Sequence, residues 1–315
     1  MALEERSTLT RYLIEERRRF PHASGELNAL ILDISLACKA IARGVAQGRL
    51  GNASHAHAPQ SQARGKYLFL FDPLDGSGNV DVNVPVGSLF SILRAPPEVA
   101  SGARELDEAD FLQPGAALVA AGYAMYGPTT VFVLSVGNGV AGFTLDPALG
   151  EFLLTHPDIQ VPPQAREFAI DASNHRFWEP PVRRYVDECL AGRSGVRGRD
   201  FHTRWIASAV AEAHRILMRG GVYLHPRDMR EAEQPGRPRL LQEANPIGFV
   251  MEQAGGRAST GRQPMLGVKP AALQQRVGLV FGSRDEVELI ERYHHEPLAR
   301  EAGTPLFAER SLFRD

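Results

Sequence analysis

The sequence predicts an α/β fold of packed layers in two halves. Three observations carry this. The second half alternates helical and strand patterns. The first half holds several short, β-rich apolar runs. Prolines gather in PDIQVPP, residues 157–163, between a half of 1–160 and a half of 161–315.

The elements follow in order. Leu27, Leu30, Ile31, Ile34, Cys38, Ile41 and Val45 share one face of a helix over 27–45. LGNASHAHAPQSQARGK, 50–66, is polar, small and aperiodic, and reads as an exposed loop. YLFLF (67–71) and SLFSIL (88–93) read as strands, and the charged, proline-bearing stretch 95–110 as a surface loop. TVFVLSV (130–136) and VAGFTL (140–145) are further strands. Between them GNGVAG, 137–142, spells G-x-G-x-x-G. A dinucleotide fold needs a helix directly after that motif, whereas FTLDPALGEF alternates like a strand. Asn138-Gly139 therefore reads as a type I′ hairpin turn. RWIASAVAEAHRILMRGG (204–221) is a helix closed by glycines, and VYLH (222–225) a strand. Asn245 is the expected N-cap of a helix with Pro246 in its first position, ended by Gly255-Gly256. VGLVFGS (277–283) is a strand, after which Ser283 and Glu286 form a capping box.

Composition narrows the function classes. The chain has 315 residues, 43% hydrophobic and 23% charged, as ordinary globular proteins do. A net charge of −2 gives no basic field for nucleic acid, and RRR at 17–19 reads as a solvated helix face. Two cysteines, Cys38 and Cys189, make neither a disulfide framework nor a CxxC site, which fits a reducing, cytoplasmic setting. The charged N-terminal stretch has no secretory h-region. No apolar run approaches the ~18–20 residues of a membrane span.

FDPLDGSGNVDVN, 71–83, carries the chemistry. If YLFLF is buried, Asp72 leaves the strand's carboxyl end, where open α/β sheets place ligands. Pro73 keeps Asp72 extended, and Asp75 swings back to the same side. Two carboxylates and the Leu74 carbonyl suit a hard cation such as Mg²⁺. Gly76 and Gly78 let backbone N–H groups face an anion, with the Ser77 hydroxyl beside them. A cation and an anion nest together make a phosphoryl site. The plainer alternative is an Asx-type turn with two solvated aspartates. A third carboxylate is Glu243 in LLQEANP, although the dipole of the following helix would favour an acid there without any metal.

Several segments together resemble one family, the bacterial-type class I fructose-1,6-bisphosphatases. FDPLDGSGNVDVNV is similar to its metal and phosphate signature. AGYAMYGPTTVFVLSVGNGVAGFTLDPALGEFLLTHPDI, ASNHRFWEPPVRRYVDECLAG, RWIASAVAEAHRILMRGGVYLHP and RPRLLQEANPIGFVMEQAGG continue the likeness in order. TLTRYLIEERRRFP and DISLACKAIARGV match near the N-terminus. The resemblance implies a layered α/β/α/β/α sugar-phosphatase sandwich, usually a homotetramer. It implies Mg²⁺-dependent hydrolysis of the 1-phosphate of D-fructose 1,6-bisphosphate, in gluconeogenesis or the Calvin cycle. By position, Asp72, Asp75 and Glu243 would ligate Mg²⁺ with the Leu74 carbonyl. Gly76, Ser77 and Gly78 would hold the 1-phosphate. Asn174, Arg204, His225 and Arg237 would bind the distal phosphate and the sugar, Arg204 in a neighbouring subunit. Lys66 and Tyr67 match positions that bind an AMP effector in some members, and otherwise read as a strand edge.

The chain departs from the pattern in several places. Arg237 replaces a lysine, His225 and Trp205 replace tyrosines, and Gly78 replaces a serine. A long block with further metal-facing carboxylates is missing: Leu50 and Lys66 are joined only by GNASHAHAPQSQARG, and no Asp or Glu occurs from 34 to 71. His55 and His57 are candidate bases in that join, or plain loop residues. Two alternatives therefore stay open: sedoheptulose-1,7-bisphosphatase activity, and a catalytically impaired phosphosugar-binding homologue.

Overall fold

A computed structural model describes residues 7–19, 25–48, 60–231 and 236–296. Its helices are α1 (Leu9–Arg19), α2 (Gly25–Ala46), the single turn α3 (Pro97–Ala100), α4 (Pro180–Ala191), α5 (Ala209–Arg219), α6 (Asn245–Gln253) and α7 (Arg284–His295). Seven strands form an antiparallel meander in chain order: β1 (Gln60–Arg64), β2 (Tyr67–Asp75), β3 (Val86–Arg94), β4 (Leu118–Tyr126), β5 (Thr130–Ser135), β6 (Ala141–Asp146) and β7 (Glu151–His156). Five more are β8 (Glu167–Ile170), β9 (His202–Thr203), β10 (Val222–His225), β11 (Arg257–Ser259) and β12 (Leu279–Gly282), in the order β11-β12-β10-β8-β9. Among the described residues only β8 makes parallel pairs, with β9 and β10.

Residue alternation explains the layers. In β3, β4 and β5, Phe90, Ala124, Phe132 and Leu134 pack against Leu30, Ile31 and Cys38 of α2. Their neighbours Leu89, Tyr123 and Val133 face the other way, onto Val210 and Ile216 of α5 and Val250 of α6. The second sheet does the same. Tyr223 and Phe281 join that central cluster, while Val222, Leu224 and Val280 pack on Val182 of α4 and Ile290 of α7. A period of two along buried strands thus sorts side chains between two helix layers. The result is α1–α2, sheet, α5–α6, sheet, α4–α7, the five-layer sandwich that the resemblance implies.

Several local expectations are corrected. Part of the 50–66 loop is β1, which turns through Gly65 (φ +56°) and pairs antiparallel with β2. The rest of that loop, with His55 and His57, lies outside the described residues. β5 and β6 do form a hairpin, and no helix follows GNGVAG. Its turn is not type I′, because Gly137 and Gly139 carry positive φ (87° and 79°) while Asn138 does not. The helix expected over 204–221 is shorter, since Ser208 caps α5 by accepting from the Ala211 N–H at 3.3 Å. The capping box at Ser283 does not form. Buried Glu286 is taken instead by Tyr185 (2.7 Å), Arg197 (2.6 Å) and Arg199 (2.6 Å), and Ser283 Oγ accepts from the Gly221 N–H.

Candidate active site

Asp72 and Asp75 lie in an antiparallel meander, not at the carboxyl end of an open parallel sheet as expected. In a regular strand, residues three apart face opposite sides. The ladder to β3 changes that. Asp72 pairs with Leu89 and Asp75 with Gly87, so β2 takes three steps where β3 takes two. One extra residue in a ladder is a β-bulge, and it re-aims everything beyond it. Leu74 therefore packs with Phe71 beneath α2, and Asp75 returns to the side of Asp72. Pro73 has no N–H to lose from the ladder, which makes this the cheap place to bulge.

Glu243 arrives from a wide helical turn, Leu240–Ala244, that runs straight into α6. Asn245 is consequently not an N-cap, because burial of Leu240 and Leu241 draws the chain into helix before it. Such wide turns are frequent at functional sites. The carboxylate oxygens of Asp72, Asp75 and Glu243 lie within 4.8 Å of one another. Arg239, which sequence reasoning did not single out, sits on them. It donates from Nη2 to Asp72 Oδ2 (2.5 Å) and from Nε to Glu243 Oε1 (2.6 Å). The signal was its spacing of four before Glu243, which becomes legible only once the helical turn starts at 240.

The electrostatics are those of a site short of positive charge. Burial is the main cause that raises the pKa of Asp72 and of Glu243, with Arg239 opposing it. Asp75 is pushed up to about 8, first by burial and then by the charges of Glu243 and Asp72. Its Oδ2 is shut off from solvent and has no hydrogen-bond partner. A backbone N–H at the start of α5, that of Val210, faces this carboxylate. Hard oxygen donors, converging charge and an orphaned carboxylate oxygen fit a divalent cation.

The glycine turn stands next to this cluster. Gly76 takes a left-handed conformation (φ +73°) and opens a 3-10 turn over Ser77–Asn79. Ser77 and Gly78 are exposed at its crest. Asn79 donates from Nδ2 to the Ala207 carbonyl (2.9 Å), which ties the turn to the N-terminal end of α5.

Asn174, His225 and Arg237 line one cleft, together with Asp171 and Arg227. Asn174 donates to Asp171 (2.9 Å) and accepts from Arg230 (3.0 Å). His225 Nδ1 is enclosed without a partner, and burial, then the charge of Arg237, lowers its pKa. Arg204 does not line this cleft. It is exposed and donates to Glu167 at 3.3 Å. Trp205 stacks on Tyr223 (5.8 Å between centroids, 2° between planes). Arg237 precedes Arg239 by two residues, so one segment joins the cleft to the carboxylates. Of the two positions matched to an effector site, Tyr67 is a core residue (1% exposed) and Lys66 is exposed.

Comparison with known proteins gives the family. The family model "Fructose-1-6-bisphosphatase, N-terminal domain" matches residues 52–157, and the corresponding C-terminal domain matches 161–295. The class 1 fructose-1,6-bisphosphatase of Hydrogenophilus thermoluteolus is 57% identical over 98% of this chain and 97% of its own. That of Rhodospirillum rubrum is 48% identical over the whole of both. The solved fructose-1,6-bisphosphatase of Leishmania major, in holo form, superposes with a TM-score of 0.81 at 31% identity, over 92% of this chain and 100% of that one. The Hydrogenophilus alignment spans 353 positions against the 315 residues here, so at least 38 have no counterpart in this chain. No helix among the described residues is long and apolar enough to cross a membrane. Both family domains occur in order, and the identity extends end to end: the chain belongs to the class 1 fructose-1,6-bisphosphatases, a family of phosphoric monoester hydrolases.

Proposed function

We propose that the chain hydrolyses the 1-phosphate of D-fructose 1,6-bisphosphate, giving fructose 6-phosphate and phosphate, with Mg²⁺ as its cation. The observation that carries this is the converging set Asp72, Asp75 and Glu243, with Asp75 Oδ2 buried and unpartnered beside the glycine turn. Asp72, Asp75, Glu243 and the Leu74 carbonyl would hold the cation, which supplies Lewis acidity toward the phosphoryl oxygens when bound. Gly76, Ser77 and Gly78 would present N–H groups and a hydroxyl to the 1-phosphate. Asn174, His225 and Arg237 would hold the sugar and its distal phosphate, which fixes the scissile group at the carboxylates. Arg237 keeps the positive charge that a lysine would provide, in a planar, forked form. The exposure of Arg204 supports a role in a neighbouring subunit's cleft, within a homotetramer. An effector such as AMP at Lys66 and Tyr67 belongs to the same reading, with Lys66 as the accessible contact. We also assign the halves 1–160 and 161–315 to the metal and effector side and to the sugar-phosphate side. The setting is cytoplasmic carbohydrate metabolism, gluconeogenesis or the Calvin cycle.

A second reading is supported by one observation: no Asp or Glu lies between residues 34 and 71, so no carboxylate from that stretch reaches the cluster. Loss of a general base costs roughly 10²–10⁴-fold in rate, and the chain would then bind phosphosugar without turnover. Phosphate release from fructose 1,6-bisphosphate, with and without Mg²⁺ and beside Asp75→Ala, separates the two. Mg²⁺-dependent release that Asp75→Ala abolishes supports hydrolysis. Binding without release supports the impaired binder. Competition with sedoheptulose 1,7-bisphosphate settles the sugar preference.

A further inference from the structure

The bulge that brings Asp75 beside Asp72 has to be held in place. At a bulge the extra residue loses its ladder partner, and its polar groups must be satisfied elsewhere. Here Ser88 on β3 reaches across. Its Oγ donates to the Pro73 carbonyl at 2.6 Å, between the two aspartates. The same Oγ lies 2.6 Å from the Tyr126 hydroxyl of β4. A serine hydroxyl has one proton. With that proton on Pro73, Tyr126 is the donor to Ser88. Ser88 is fully buried and Tyr126 is 3% exposed, so bulk water does not offer a substitute. The thiol of Cys38, on α2, lies beside both hydroxyls. The neighbouring backbone leaves little room to adjust, since a Cβ on Gly87 would meet the Ala124 carbonyl at 2.6 Å.

We propose that Ser88, oriented by Tyr126, is a positioning residue for the Asp72–Asp75 pair: its hydroxyl replaces the missing ladder bond at Pro73 and fixes the spacing of the two carboxylates. It touches neither substrate nor cation and acts through the backbone of the bulge. The inference rests on the reading of Asp72, Asp75 and Glu243 as cation ligands.

The test is Mn²⁺ binding to the purified full chain, read as free Mn²⁺ by electron paramagnetic resonance. Ser88→Ala leaves the Pro73 carbonyl without its donor and is expected to weaken Mn²⁺ binding roughly tenfold, the scale of one net hydrogen bond. Ser88→Thr keeps the hydroxyl and is expected to restore binding to within about threefold of the parent. Tyr126→Phe removes the orienting donor and is expected to give a smaller loss, about threefold. If Ser88→Ala does not fold, the Tyr126→Phe and Ser88→Thr pair decides the question. Asp75→Asn serves as the control for the underlying reading. Undiminished Mn²⁺ binding by Asp75→Asn would overturn the cation site itself. Loss in Asp75→Asn with parental affinity in Ser88→Ala, or in Tyr126→Phe where only that variant folds, would overturn the positioning role alone. A fall in melting temperature without a change in Mn²⁺ affinity counts against the proposal, because a purely structural hydroxyl would behave that way.

Discussion

Replacing Asp75 with asparagine should stabilise the metal-free protein and make its stability less dependent on pH. The burial of this carboxyl, and its neighbours Glu243 and Asp72, raise its pKa from 3.8 to about 8. Below 3.8 the folded and unfolded chains both carry the proton, and no difference arises. Between 3.8 and about 8 the unfolded chain ionises first, so stability falls as pH rises. Above about 8 the loss is complete. At 1.36 kcal/mol for each tenfold, the full rise corresponds to roughly 5–6 kcal/mol. Asp75 as a residue is only half-buried, and the cluster relaxes as it charges, so we expect about 2–3 kcal/mol at alkaline pH. The assay is urea unfolding in EDTA at about pH 5.5 and about pH 8.5. Asp75→Asn should gain over the parent at both, more at the higher value. On the proposed reading of Asp72, Asp75 and Glu243 as cation ligands, saturating Mg²⁺ should reverse the order, because the parent would bind the cation with one more ligand than the variant. A variant no more stable than the parent at the higher pH in EDTA would refute the argument.

Three further outcomes follow from the described contacts. Arg239→Met leaves Asp72 and Glu243 without their guanidinium, and should cost the metal-free protein about 2–4 kcal/mol in urea unfolding, with recovery on adding Mn²⁺. Glu286→Ala strands Arg197, Arg199 and the Tyr185 hydroxyl, and should cost about 3–5 kcal/mol by the same measurement while leaving Mn²⁺ affinity unchanged. Cys38 and Cys189 are 0% and 1% exposed, with burial pushing both thiols up to about 12, so a thiol reagent at pH 8 should label neither in the native protein and both in urea.

Much of the site was legible because it is local in sequence. Asp72, Asp75 and the Gly76–Gly78 turn lie within seven residues, and Glu243 stands out as an acid in an apolar stretch. The helix over 27–45 is visible as periodicity, and β2, β3, β5, β6, β10 and β12 as short apolar or alternating runs, whereas β4, β7, β8, β9 and β11 do not stand out in the sequence. The less legible features depend on register and competition. A bulge does not alter residue type, so the flip that unites Asp72 and Asp75 appears only in the pairing with β3. β1 is a strand because β2 offers it an edge, which QSQAR alone does not announce. Ser283 and Glu286 fit a capping box locally, but two arginines and a tyrosine distant in sequence compete for Glu286 and win. Arg239 was overlooked because its role needs the wide turn at Leu240–Ala244.

The central cluster also governs how the molecule comes apart. Leu89, Tyr123 and Val133 from the first sheet share it with Tyr223 and Phe281 from the second, through α5 and α6. Neither sheet can leave without exposing the inner face of the other. The two family-model segments, 52–157 and 161–295, are therefore not two independent melting units. Calorimetry should give one transition whose van 't Hoff and calorimetric enthalpies agree. Proteolytic fragments cut between β7 and β8 should persist only as a non-covalent pair.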